Sequence, residues 1–345
     1  MDFIEAQLAA LFAFWQNQML GTFLSIGSTL SIVALLVTLL TAIGFVRLQQ
    51  RRQRAIGSHT MLRALFPRRI WKSRSGRADI GWFVASVGGF GITFGWMVMT
   101  IPMVSNWTAG LLAIPFQPGH VQPSLFFSVM TSMALFLSYE FAYWLDHYLM
   151  HRFEWTWQIH KVHHSAESLS LLTIFRVHPV ETMIYANIVA ACMGVMSGVM
   201  KFLLGPAAVQ ATIGGGDVVV LLTATLVTHL QHSHLWITFG PVWGRVLLGP
   251  AHHQIHHSDD PVHHNRNFGN FLTVFDRMFG SFEMPTAKRG ELTFGIGPQA
   301  QNPHSLYAMI ITPCVQSWKS AYKSLIRAFA PRAIVAPSAH AGERT

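Results

Sequence analysis

Apolar residues in this chain run in blocks too long for one face of a soluble helix. Residues 20–46 hold no charged side chain and are followed at once by Arg47. Residues 80–139 contain no Asp, Glu, Lys or Arg, but Pro102, Pro115, Pro118 and Pro123 interrupt them. A bilayer-crossing helix needs roughly 20 apolar residues. The long block therefore predicts two spans, near 80–102 and 124–145, joined by an uncharged hairpin at 103–123. Residues 182–200 predict a fourth span. Residues 218–238 predict a fifth, joined to the fourth by the Gly- and Pro-rich turn 205–216. Glycine and threonine within these spans let helices pack closely. The pattern shows no internal repeat. The fold expected is an all-α integral membrane protein of about four to five transmembrane helices, with a helical cap at one membrane face.

Composition agrees with lipid as the solvent. Of 345 residues, 51% are hydrophobic and 11% charged, against about 25% charged in soluble domains. The net charge of +9 is concentrated, with ten Lys and Arg between Arg47 and Arg77. A basic loop between two apolar spans reads as cytoplasmic and attracted to anionic lipid. It lacks the soluble basic fold that nucleic-acid binding needs, so no nucleic-acid partner is expected. Counting from that loop, the amino terminus, 103–123 and 205–216 lie outside. Segment 146–181 and everything after about 239 lie inside. Cys192 and Cys314 stand in apolar contexts without a Cys-x-x-Cys, which supports neither a disulfide framework nor a thiolate zinc site. The amino terminus has no basic segment of the kind that opens a cleaved signal peptide. The tail from Pro331 is rich in Ala, Pro, Ser and Gly and is expected to be disordered.

Fifteen of the nineteen histidines lie between His147 and His264. His147-Tyr-Leu-Met-His151 places two rings four apart, on one helix face. His160-Lys-Val-His163-His164 and His253-Gln-Ile-His256-His257 share a second pattern. His229-Leu-Gln-His232-Ser-His234 lies near the inner end of the fifth span. By the topology above, all four meet at one depth on one side. Neutral imidazole is a ligand for first-row metals. Eight histidines from three boxes, with one or two from 229–234, would complete two coordination shells. The expected metal ligands are His147, His151, His160, His163, His164, His232, His253, His256 and His257. His229 is next in order, and His234 is either an outer partner or exposed. His178, before Pro179, is either a donor to a ligand or structural. At most one of His252, His263 and His264 touches metal. His59, His120, His304 and His340 are read as ordinary polar residues. Carboxylate di-iron bundles use Glu-x-x-His, and no such tetrad occurs, so the site should be nearly all nitrogen. Asp146, Glu140, Asp260 and Asp276 could orient ligand rings. Asn270 is either a site residue or a backbone cap. The aromatics of 139–144 and 155–157 read as interface anchors.

These motifs resemble the fatty acid hydroxylase / sterol desaturase superfamily. The order His-x-x-x-His, His-x-x-His-His, His-x-x-His-His is similar to its pattern. So are Trp157-Gln-Ile-His160-Lys-Val-His163-His164-Ser165-Ala166-Glu167 and His256-His257-Ser258-Asp259-Asp260-Pro261, with the stretch from Asn267 to Gly280. The resemblance covers roughly 125–285. Tyr148 stands where many members carry Arg, and Phe275 where many carry Trp. Neither change removes a ligand.

The resemblance implies an iron- and O2-dependent membrane oxidoreductase acting on a C–H bond of a lipid, whether fatty acyl chain, sterol or alkylglycerol, by hydroxylation, desaturation or ether cleavage. It implies two Fe ions, with zinc a substitute in purified protein. Asp276 belongs to the family's signature. No haem, dinucleotide or iron–sulfur motif occurs, so electrons must come from a separate ferredoxin or cytochrome with its reductase. The organisation expected is 1–123 as amino-terminal spans and basic loop, 124–285 as the catalytic domain and 286–345 as a cytoplasmic segment. A metal transporter could use the same histidines, but its site would sit near the bilayer midplane. A zinc hydrolase would be expected to show His-Glu-x-x-His, which is absent.

Overall fold

A computed structural model describes residues 2–24, 31–53, 65–88, 98–213, 216–223, 228–297 and 303–329. Among them the regular secondary structure is helical, apart from a two-residue antiparallel pair, β1 (Thr212–Ile213) with β2 (Gly216–Asp217). The helices are α1 (Asp2–Leu24), α2 (Ile32–Gln53), α3 (Arg68–Lys72), α4 (Arg74–Val87), α5 (Ile101–Leu112), α6 (Leu125–Arg152), α7 (Glu154–His164), α8 (Pro179–Leu204), α9 (Val218–Thr223), α10 (His229–Gln231), α11 (Gly240–Trp243), α12 (Pro250–His256), α13 (Val274–Phe279) and α14 (Thr312–Phe329). Two helical segments, Leu125–Arg152 and Pro179–Ala207, are long and apolar enough to cross a membrane. Ile32–Leu48 is a shorter apolar stretch.

The two long helices run antiparallel and form the axis of the molecule. The α6 helix starts at Ser124, whose hydroxyl accepts from the Phe127 amide at 3.4 Å. Near that end the Gly119 amide donates to the Phe202 carbonyl at 2.8 Å, close to where α8 finishes. A Cβ at Gly119 would sit 1.8 Å from the Leu203 oxygen, so the close approach requires glycine. At the opposite end α6 stops at Phe153 and α7 begins at Glu154. The Thr156 hydroxyl ties this corner by donating to the Leu149 and Phe153 carbonyls at 2.8 and 2.9 Å. The start of α8 returns to the same end, with Pro179 at its first turn and His178 accepting from the Val180 amide.

Several sequence expectations are revised. Residues 103–112, assigned to an outer hairpin, belong to α5, which packs along α8. Pro102 sits in the first turn, where it costs no hydrogen bond, and the Thr100 hydroxyl caps the Met103 amide. Cβ atoms at Gly194 and Gly198 would lie 2.5 Å from the Cβ atoms of Val104 and Thr108, so α8 offers a small-residue groove to α5. The predicted fifth span does not continue as a helix to Thr238: residues 232–239 beyond α10 are non-helical, and residues 224–227 lie outside the described residues. The α2 helix runs on through Arg47 to Gln53. The α1 helix was not expected from the pattern. His59, His340 and the tail from Pro331 lie outside the described residues.

Candidate metal centre

Nine buried or half-buried histidines converge where α6, α7, α10 and α12 meet. They form two groups. His147, His151, His160, His164 and His256 make the first, and His163, His232, His253 and His257 the second, with donor nitrogens in each group within 4.8 Å of one another. The two His-x-x-His-His boxes are used reciprocally. The i, i+4 pair of the α7 box, His160 and His164, joins the first group while His163 turns to the second. The α12 box does the reverse, giving His253 and His257 to the second group and His256 to the first. The groups are adjacent: the His164 and His257 rings stack with centroids 4.6 Å apart. The nine are the residues singled out by spacing.

The donor atoms face inward. Nε2 of His253 lies 2.8 Å from Nε2 of His232, which lies 3.0 Å from Nε2 of His163. His257 and His253 approach at 3.1 Å, His256 and His164 at 3.1 Å, and His164 and His160 at 3.2 Å, all through Nε2. Nε2 of His147 and of His151 is buried with no partner. On the outer side, Nδ1 of His147, His163 and His256 lies 2.9, 3.2 and 2.8 Å from the carbonyls of Phe268, Arg176 and Arg266. A carbonyl only accepts, so each Nδ1 carries the proton and each Nε2 presents its lone pair inward. Nδ1 of His160 bonds the Glu181 carboxylate at 2.7 Å. Lone pairs aimed at one another in a buried pocket repel unless a cation lies among them. Burial, then repulsion among the rings, holds His163, His164, His253 and His257 well below the ordinary histidine range. Burial pushes His256 down to about 3. Imidazoles that turn Nε2 inward, four of them (His147, His160, His163 and His256) held from outside through Nδ1, fit two first-row metal ions.

The carboxylates act at different places from those expected. Glu181, on the first turn of α8, is the one that reaches a converging ring. An acid just after His178-Pro179 at the start of an apolar span was the available signal. Asp276 instead shapes the 268–269 backbone, accepting from the amides of Phe268 and Gly269 at 2.8 Å each, from Ser281 Oγ at 2.6 Å and from Trp144 Nε1 at 3.2 Å. It thereby sets the Phe268 carbonyl that holds His147. Glu140 does the same for the next residues, accepting from Asn270 Nδ2 at 3.0 Å and from the amides of Phe271 and Leu272 at 2.9 and 2.7 Å. Asn270 thus braces a loop through Glu140. Asp146 Oδ1 is buried without a partner, and Asp260 caps the Val262 amide. Trp144, read as an interface anchor, is 3% exposed and stacks between Tyr148 and Phe279.

The other histidines fall outside the two groups. His229 and His234 border a separate apolar crevice of about 310 Å³ against α2. His178 caps α8 and meets the Ile310 carbonyl at 3.0 Å. His252 accepts from the Gly249 amide, His263 bonds Ser258 Oγ, and His264 meets the Asp259 carbonyl. His304 lies against Arg176 and Glu167, and His120 is exposed.

A buried ion pair that the sequence did not disclose braces the centre from α4. Arg176 and Asp79 are fully buried, 2.7 Å apart, and Asp79 also accepts from Ser170 and Thr173 at 2.8 Å. The Arg176 carbonyl is the one that anchors His163. A cavity of about 1190 Å³ opens directly on His151, His164 and His256. Its wall includes Trp157, Lys161 and Asp259, and α14 contributes Thr312 and Gln316.

The family model described as fatty acid hydroxylase matches residues 132–281, the segment that carries all nine rings. Over that segment, less than half of the chain, the sequence is similar to that family. Alkylglycerol monooxygenase of Caenorhabditis elegans is 24% identical over 188 residues, covering 54% of this chain and 29% of that protein. The human alkylglycerol monooxygenase is 27% identical over 161 residues, 47% of this chain and 32% of the other. Ornithine lipid hydroxylase OlsE of Rhizobium tropici is 27% identical over 146 residues, 42% and 40% of the two chains. The match therefore spans between a quarter and a half of each of these relatives. No solved structure matches the chain.

Proposed function

We propose that this chain is a membrane-embedded di-iron monooxygenase that hydroxylates a C–H bond of a lipid. The observation that carries the proposal is the inward convergence of nine imidazoles into two touching groups. Two iron ions held there would activate O2 for insertion of an oxygen atom into an unactivated C–H bond, with electrons from an external donor. His147, His151, His160, His164 and His256 hold one ion; His163, His232, His253 and His257 hold the other. Glu181 and the carbonyls of Phe268, Arg176 and Arg266 keep the outer nitrogens protonated and the rings fixed. Phe268, whose ring lies 5.5, 5.1 and 5.7 Å from those of His147, His151 and His256, helps keep water from the first group.

The cavity against His151, His164 and His256 receives the substrate, and its mixed polar and apolar wall suits an amphiphile. The names of the relatives, monooxygenases and a hydroxylase of lipids, support that class. His147 lies 22 residues into α6, roughly 33 Å along it, which matches a hydrocarbon layer of about 30 Å. The site then sits at the cytoplasmic face, to which the basic segment assigns that end. This depth disfavours a transporter, whose site would lie near the midplane.

Comparative lipidomics tests the proposal. Cells expressing the chain should gain an oxygen-bearing lipid, and cells expressing His163→Ala at equal protein level should not. Unchanged lipids in the first, or the same product in the second, would refute it.

A further inference from the structure

The α14 helix presents a face that no described residue covers. Val315, Trp318, Tyr322, Leu325, Ile326 and Phe329 are all exposed, Trp318 and Phe329 by 75% and 83%. At 3.6 residues per turn the six fall within an arc of about 100°. Lys319, Lys323 and Arg327 stand along one edge of that arc, all exposed. The helix contains no Asp or Glu. Its inner side is already used: Pro313 is buried, and Gln316 bonds Lys161 of α7.

Position adds a second argument. The α7 helix begins two residues after α6 ends. At 28 residues α6 is about 42 Å long, so its far end emerges from a hydrocarbon layer of about 30 Å. A helix packed on α7 therefore lies at headgroup depth. An apolar arc edged by cations and free of acids is the pattern of a helix lying in the membrane plane, its lysine and arginine stems reaching up to phosphate.

We propose that α14 is an in-plane membrane helix whose apolar arc sinks into an anionic headgroup layer beside the histidine centre. The proposal rests on α6 crossing the bilayer and is independent of which metal the histidines hold. Because Thr312 and Gln316 line the large cavity, seating α14 brings the cavity mouth to the lipid surface. An amphiphile then enters without leaving the membrane.

Nitroxide labels test this in the full chain with Cys192→Ser and Cys314→Ser, reconstituted in phosphatidylcholine vesicles containing phosphatidylglycerol. Labels are placed at Leu325→Cys on the arc, Ser324→Cys on the exposed flank away from the arc and Met133→Cys within α6. The expected result is a several-fold higher ratio of oxygen to aqueous-quencher accessibility at 325 than at 324. Replacing Lys319, Lys323 and Arg327 by Gln should narrow that difference. Equal aqueous accessibility at 325 and 324, with 133 protected, would overturn the proposal alone. Dipolar broadening at 325 that spin dilution removes would also overturn it, by showing a second copy on the face. An aqueous label at 133 would overturn the spanning reading of α6, and the proposal with it.

Discussion

His160 and His256 show how a single ring is prepared for metal. Each is fixed on its outer nitrogen, by Glu181 and by the Arg266 carbonyl, so that the inner one is free to coordinate. Glu181→Gln keeps the shape but removes the charge that polarises His160. Metal affinity should fall about 10–100-fold, measured by competition with a chelator, with helix content unchanged. In the metal-free protein, burial moves His256 from 6.5 to about 3. Between those values the unfolded chain binds more protons at this position than the folded one. Stability from this residue is therefore complete above 6.5 and is lost as pH falls toward 3. Melts of metal-free His256→Gln should show a shallower loss across that window, by up to one proton. At this scale the sequence was most legible for the histidines, because ligands on helices carry i, i+3 and i+4 spacing. Glu181 and Asp79 carry no such local mark. Their partners, His160 and Arg176, lie 21 and 97 residues away in the chain, and only the packed molecule pairs them.

Among the elements, α5 and α8 show the limit of reading prolines as breaks. Pro102 marks a helix start, and the groove that receives α5 is cut by Gly194 and Gly198. Gly198→Leu should push against Thr108 and the Ser105 carbonyl, which a Cβ alone would approach at 2.5 and 2.6 Å. Overpacking of this kind costs about 1–3 kcal/mol, visible as a lower melting temperature in detergent, while metal content is retained. The α4 helix carries the opposite case. Asp79→Ala strands a buried guanidinium, and breaking a buried pair costs about 3–5 kcal/mol. Because Arg176 also positions the carbonyl behind His163, this variant should lose metal from the second group as well as stability. The helix expected over the fifth span stops short of Thr238 for a physical reason. Residues 228–239 must turn His232 into the second group, and a straight helix through Thr238 would not leave the loop beyond Gln231 free to meet α12.

The whole molecule is organised by the antiparallel pair α6 and α8. One end is closed by Gly119 against the end of α8, and the other carries the histidines, α7 and α14. Long uncharged blocks made the two long apolar helices legible, whereas the packing of α14 and the buried bracing of α4 arise from contacts between distant segments. A cysteine at the exposed Gln117 and one at the exposed Lys288 should lie on opposite sides of the bilayer. An impermeant maleimide applied to intact cells should label the first and not the second. The central claim, that nine imidazoles hold two metal ions side by side, is tested most directly by metal analysis with iron X-ray absorption on the purified chain. The account requires two iron ions per folded chain in a nitrogen-rich shell, with His151→Ala and His253→Ala each impairing a different ion. A folded wild-type chain that binds one ion or none after iron reconstitution, or two ions in a sulfur-containing shell, would contradict it.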